Sequence, residues 1–147
     1  MNVVSRMTVV LTLSAAMFFA IAAAPPAKKS VAKDEVMPAS QMKFEPAPVP
    51  GVSKATLWGD PAKGPYGAIT RFVKGTKVDW HTHPNDIKAV VISGTLLYNN
   101  GSGEKRLGPG SFLQERSSIK HTTAAAADSD VTFYEEGAGP FAVKMVK

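Results

Sequence analysis

The 147-residue chain is long enough for one compact domain with some length to spare. Its hydrophobic fraction of 44 % and charged fraction of 20 % are those of a soluble globular protein. The formal charge of +5 is spread over single and paired basic residues such as Lys28-Lys29 and Lys105-Arg106, which argues against nucleic-acid binding, and with no cysteine neither a disulfide framework nor a lipid-anchored N-terminus is available.

Residues 1–24 differ in kind from the rest. Arg6 supplies a positive start, a charge-free run rich in Val, Leu, Phe and Ala follows, and Ala20-Ile21-Ala22 offers a small-residue cleavage box. That is the pattern of a secretory signal peptide, so the expectation is export to a periplasm or the cell exterior, with no membrane contact after cleavage. The competing reading is an uncleaved anchor, since the run approaches the length that spans a bilayer. Residues 25–50 hold six of the eleven prolines among Ala, Lys and Ser. Such a stretch buries too little apolar surface to offset its ordering entropy and reads as a flexible tether, with Met42 and Phe44 able to pack on the domain edge.

From Gly51 to the end, short apolar or β-branched runs recur about every ten residues: 55–58, 67–73, 77–80, 89–93, 95–98, 111–114, 131–134 and 141–146. Gly, Pro, Asn and Asp separate them, and Asn99-Asn100-Gly101-Ser102-Gly103 reads as a hairpin tip, because these residues tolerate positive φ. Short strands at this spacing predict an all-β sandwich or barrel over 51–147. The alanine-rich run 122–127 reads as a loop or sheet edge rather than a helix.

The three histidines fall at telling places. His81 and His83 are two apart, so an extended strand presents both imidazoles on one face. His121 lies on a later strand returning beside them. Imidazole is the commonest side-chain ligand of zinc, iron, copper and nickel, so three converging rings make a candidate metal site. Thr82, Thr122 and Thr123 are candidates to orient the rings, and Trp80 and Tyr134 to line a ligand mouth, although both residue types are common in strands anyway. Arg116 and Lys120 could steer an anion or simply solvate a strand end.

The spacing of these residues resembles the cupin superfamily, more narrowly an uncharacterised family of small single-domain cupins. Gly75, the pair His81-Thr82-His83 and the closing Gly94 fit its first motif; Gly108-Pro109-Gly110 with His121 eleven residues on fits its second. The resemblance implies a jelly-roll β-barrel with one divalent metal, zinc, iron, manganese, nickel or copper, and by analogy a homodimer. The family's glutamate would fall at 87 or 88, where the chain has Ile87 and Lys88. Asp86 is one residue early and, as a turn aspartate, is apt to bond its own backbone. Gln114 is the tentative fourth ligand if Phe112 points into the barrel, because the two share a strand face; otherwise it is an ordinary polar group of the barrel.

Three neutral imidazoles would leave a divalent ion uncompensated and favour a small anionic or oxygen-bearing ligand. Two functions stay open. One is a metalloenzyme such as an oxygenase, isomerase, lyase or hydrolase, whose metal polarises substrate oxygens. The other is a non-catalytic ligand-binding or sensor barrel whose metal site is degenerate for want of the glutamate.

Overall fold

A computed structural model describes residues 33–146, of which 35–146 belong to one compact unit. The expected signal peptide at 1–24 and the first part of the tether lie outside the described residues. After a 3-10 turn at Ala39–Gln41, eleven strands follow: β1 Glu45–Pro46, β2 Val52–Gly59, β3 Tyr66–Phe72, β4 Lys77–Thr82, β5 Ile87–Ser93, β6 Leu96–Asn99, β7 Glu104–Leu107, β8 Phe112–Glu115, β9 His121–Ala125, β10 Val131–Gly137 and β11 Lys144–Met145. They form two antiparallel sheets, β1-β2-β3-β10-β5-β8 and β11-β4-β9-β6-β7. This is the all-β jelly-roll barrel that the sequence predicts.

Period-2 alternation decides which side chains enter the space between the sheets. On β10, Val131, Phe133 and Glu135 are buried; on β5, Ile87, Ala89 and Val91; on β9, His121, Thr123 and Ala125. Half of the barrel is filled by an apolar cluster that draws Phe72, Val91, Val131 and Phe133 from the first sheet and Val78, Leu96 and Ala125 from the second. Each such side chain contributes about 1.5–3 kcal/mol on burial, which holds the sheets together without a disulfide. The remaining buried positions include polar groups, among them the three histidines, Glu115 and Glu135.

One irregularity in β4 matters for these groups. Val78 pairs with Thr123 and His81 with His121, so three residues of β4 span the distance of two on β9. This β-bulge absorbs one residue between Val78 and His81. Strict alternation from Val78 would put Trp80 and Thr82 inside; the bulge resets the phase, so Val78, His81 and His83 all face inward and are buried.

One expectation needs correction. The run 122–127 is not an edge: β9 lies between β4 and β6, its small alanines packing in a sheet interior, with Ala125 opposite Leu96. The second half of the tether joins the barrel, as Phe44 allowed. β1 pairs with β2, the Phe44 ring lies 3.7 Å from the Arg71 guanidinium, and Pro48 and Val49 reach the cavity wall.

Candidate metal centre

His81 ends the bulged stretch of β4, His83 follows β4 directly, and His121 opens β9. His81 and His121 stand opposite each other in register. The three rings are buried, and each offers a nitrogen within 4.8 Å of the other two. Ring centroids are 4.3 Å apart for His81 and His121, 5.0 Å for His81 and His83, and 5.2 Å for His83 and His121.

Each ring is held by the same device. Nδ1 of His81 lies 2.8 Å from the Asp79 carbonyl, that of His83 2.8 Å from the Ala142 carbonyl, and that of His121 2.9 Å from the Ile119 carbonyl. A carbonyl only accepts, so every Nδ1 carries the proton and every Nε2 presents a lone pair. The orienting partners are therefore main-chain carbonyls rather than the threonines considered from the sequence. Such bonds fix the ring and its tautomer for a metal.

The fourth group is Glu115, at the end of β8 and buried. Its Oε1 lies 3.2 Å from His121 Nε2 and its Oε2 3.5 Å from His83 Nε2. At that distance His121 Nε2 still makes no hydrogen bond, since a lone pair and a carboxylate oxygen are both acceptors. Two acceptors side by side, aimed at a shared point, are what adjacent ligands of one ion look like. Bonds of about 2.1 Å put neighbouring ligand atoms about 3.0–3.4 Å apart. The residues fit a divalent cation: three imidazole nitrogens and one carboxylate, with a buried nitrogen that makes no hydrogen bond.

The electrostatics agree. Burial depresses the pKa of His81 to about 4 against the support of the Asp79 carbonyl, and the neighbouring rings push it the same way. Burial also lowers His83, against the attraction of Glu115. His121 is the exception: burial works in the same sense, but the Glu115 carboxylate 3.2 Å away outweighs it and raises the pKa above the ordinary value. Neutral imidazole is the form that binds a metal.

Gln114, the tentative fourth ligand, is not brought to the histidines. Its Nε2 donates to Asp86 Oδ2 at 3.2 Å, and Phe112 on the same face is 60 % exposed. The phase of β8 is the opposite of the one expected, so Leu113 and Glu115 face inward. Asp86 does not swing in either. It accepts from the Ser117 amide, Arg116 and Gln114, tying the turn after His83 to the turn after β8. Tyr134 meets Trp58, and Lys120 lies over the Trp80 ring at 5.5 Å; none of these lines the cavity.

Beside the centre lies a cavity of about 270 Å³, walled by His81, His83 and Glu115 and by largely apolar residues such as Leu113, Phe133 and Phe141. Lys54, Thr70 and Glu135 also reach it.

The comparisons with known proteins converge on one superfamily. Among solved structures, the polyketide cyclase RemF from Streptomyces resistomycificus is 15 % identical with a TM-score of 0.68, covering 78 % of this chain and 87 % of that one. KdgF from Halomonas sp. is 15 % identical with a TM-score of 0.60, over 71 % and 95 % of the two chains. Rru_A2000 from Rhodospirillum rubrum, described as a cupin-2 domain, is 12 % identical with a TM-score of 0.62, over 78 % and 81 %. Likeness at these identities carries the fold alone, and no curated protein matches the sequence. The model of the ChrR cupin-like domain matches residues 32–140, most of the chain. Its extent and the three-histidine centre agree: the protein belongs to the ChrR cupin-like family.

Proposed function

We propose that His81, His83, His121 and Glu115 hold one divalent metal ion and that the adjoining cavity receives a small oxygen-bearing molecule which reaches that ion. The observation that carries this reading is the set of three buried imidazole nitrogens within 4.8 Å of one another, with the Glu115 carboxylate 3.2 and 3.5 Å from two of them and His121 Nε2 making no hydrogen bond. Charge bookkeeping gives the ligand's sign. The cavity wall carries Glu115, Glu135 and Lys54 beside neutral imidazoles, a net charge of −1. A divalent ion turns this to +1, so an anionic oxygen at the metal end completes the balance in a low-dielectric space.

When bound, the ion would act as a Lewis acid toward an oxygen of the ligand. The chain's own contribution is clear. Burial keeps His81 and His83 neutral, backbone carbonyls fix the tautomer and aim of all three rings, and Glu115 supplies the compensating charge. A polyketide cyclase and a chain from a report on DMSP lyases share the fold, which makes enzyme chemistry a natural extension of the proposal. Against the degenerate-site alternative stands Glu115, a buried carboxylate beside the histidines although Ile87 and Lys88 occupy the family's glutamate position.

Export belongs to the same proposal and rests on the signal-like residues 1–24. No helix among the described residues is long and apolar enough to cross a membrane. A homodimer is proposed as well, supported by exposed Val90, Ile92 and Phe112 on the paired strands β5 and β8. The decisive experiment is elemental analysis of protein purified without chelator, alongside His81→Ala and His121→Ala. About one equivalent of metal is expected in the parent protein and strong depletion in both variants; unchanged metal in both overturns the assignment. Mass spectrometry of the mature N-terminus tests export, and sedimentation analysis tests the dimer.

A further inference from the structure

The cavity has a second polar pole that the metal centre does not use. Glu135, on β10, is 5 % exposed. Its Oε1 accepts from Lys54 of β2 and from the Tyr66 hydroxyl of β3 at 2.9 Å, and its Oε2 accepts from the Thr70 hydroxyl at 2.9 Å. A carboxylate has about four lone-pair positions, so one remains. Lys54 Nζ spends one of its three N–H donors on Glu135 and sits 3.6 Å from the centroid of the Phe141 ring. It makes no other hydrogen bond among the described residues. Lys54, Thr70 and Glu135 all reach the cavity.

Burying an ion pair of this kind is rarely favourable for stability in itself, because desolvation consumes most of the attraction. Apolar side chains of equal volume would close the barrel as well. Here the pair leaves one donor group and one acceptor position unspent at a cavity whose wall is otherwise mainly apolar. It is also electrically neutral as a unit. A second carboxylate brought there would meet Glu135 as well as Lys54 and gain little. A hydroxyl suits it, accepting from Lys54 Nζ and donating to the remaining lone pair of Glu135.

The span is set by Phe141, whose ring lies 5.4 Å from the His83 ring and 3.6 Å from Lys54 Nζ. The His83 ring and Lys54 Nζ are thus no more than about 9 Å apart, a span on the scale of a single ring with a group at each end. The volume of about 270 Å³ equals about nine waters of liquid, which also fits one ring.

We propose that Lys54 and Glu135, braced by Tyr66 and Thr70, form a hydroxyl-recognition site, so that the cavity takes a one-ring or similarly short apolar molecule with an anionic oxygen at the metal end and a neutral hydroxyl at the other. The assignment of the anionic end rests on the metal-centre reading; the hydroxyl end does not.

The test is calorimetric titration of the zinc-loaded protein with 4-hydroxybenzoate, benzoate, 4-fluorobenzoate and terephthalate. The first is expected to bind at least about tenfold tighter than benzoate, the worth of one well-made hydrogen bond to a charged group. 4-Fluorobenzoate, which has no proton to donate, and terephthalate, with a charge at the far end, should gain nothing over benzoate. In the double variant Lys54→Met/Glu135→Gln the ratio of 4-hydroxybenzoate to benzoate affinity should fall to about one. Equal binding of 4-hydroxybenzoate and 4-fluorobenzoate, tighter binding of terephthalate, a preference that survives the double variant, or no binding of any probe to about 10 mM overturns the proposal. The wild-type panel decides alone should the double variant not fold. Repeating the titrations after EDTA treatment separates the two readings. A hydroxyl preference that persists while overall affinity ignores the metal sinks the metal-centre reading and leaves this one standing.

Discussion

Replacing Glu115 by Gln tests the centre at the point where the sequence left it incomplete. The substitution keeps volume and removes the charge that faces His121 Nε2 at 3.2 Å and His83 Nε2 at 3.5 Å. Loss of a group that merely orients a ligand costs about 10–100-fold in metal affinity. Loss of a ligand carboxylate, and with it the compensating charge, should reach at least about 100-fold. Metal bound only to the native state stabilises it by RT ln(1 + [L]/Kd), about 4.1 kcal/mol at a free concentration of 1,000 Kd. A variant binding about 100-fold more weakly would retain about 1.4 kcal/mol at the same concentration. The difference of about 2.7 kcal/mol corresponds to roughly 10 °C in Tm for a domain of this size. Thermal unfolding with and without zinc, at matched free metal, reads it directly. Gln114→Ala is the companion variant: its side chain bonds Asp86 on the outer face, so its zinc-dependent shift should match the parent's. Should Glu115→Gln keep the full shift, or Gln114→Ala lose it, the ligand set derived from the geometry is wrong.

The metal-free protein should lose stability as pH falls from 6.5 toward 4. The pKa of His81 drops from 6.5 in the unfolded chain to about 4 in the folded one, so the unfolded state takes up its proton first. At about 1.36 kcal/mol per unit the contribution, present above 6.5 and gone near 4, reaches roughly 3 kcal/mol. His83 acts in the same sense, while His121 acts oppositely, its stabilisation lost as pH rises through its elevated pKa. Urea unfolding in EDTA checks the sum, and a stability that is flat or rises on acidification would contradict it. Gly94→Ala and Gly75→Ala form a matched pair, both glycines having φ +74°. A Cβ at Gly94 meets the Asp130 carbonyl oxygen at 2.0 Å, whereas one at Gly75 meets nothing within 4 Å. Gly75→Ala should cost about 1–2 kcal/mol for the left-handed backbone alone, and Gly94→Ala clearly more; equal losses in Tm would show that the contact with Asp130 is not what demands glycine at 94.

Much of the barrel was legible because its determinants are local. Strands β3, β5 and β10 carry dense β-branched and aromatic residues, and Asn99-Asn100-Gly101 marks a tight turn; no long-range information is needed to see either. β9 was harder to read. His121-Thr122-Thr123 followed by alanines has weak strand propensity, and its place between β4 and β6 is decided by pairing partners distant in sequence. Alanine suits that place because both neighbours press against it, with Lys77 and Leu97 flanking Ala124. β7, Glu104–Leu107, escaped notice because its first three residues are charged and exposed. Its strand character comes from the hairpin with β6 and not from burial.

The centre shows where local reading stops. That three histidines meet follows from spacing alone, with one bulge, invisible in sequence, needed to turn His81 inward. The missing carboxylate is different in kind. The family resemblance expects glutamate at 87 or 88; of Ile87 and Lys88 it is Ile87 that faces inward, and its cross-strand partner on β8 is Glu115. The carboxylate therefore stands at the same level of the barrel but on the adjacent strand. Directly paired residues in a sheet place their side chains on the same face about 5 Å apart, so a carboxylate from either strand reaches the same point. A motif read along one strand cannot register that exchange, since equivalence holds across the hydrogen-bond ladder and not along the chain. The available signal was the phase of Phe112-Leu113-Gln114-Glu115, where two adjacent apolar residues permit either face. Choosing the aromatic as the inward one gave Gln114; the register with Ala89 and Ile87 puts Leu113 and Glu115 inside and leaves Phe112 beside Val90 on the outer surface. Edge strands such as β8 have one partner to hold their phase, and there the bulk of a side chain is a poorer guide than the charge balance of the site it completes.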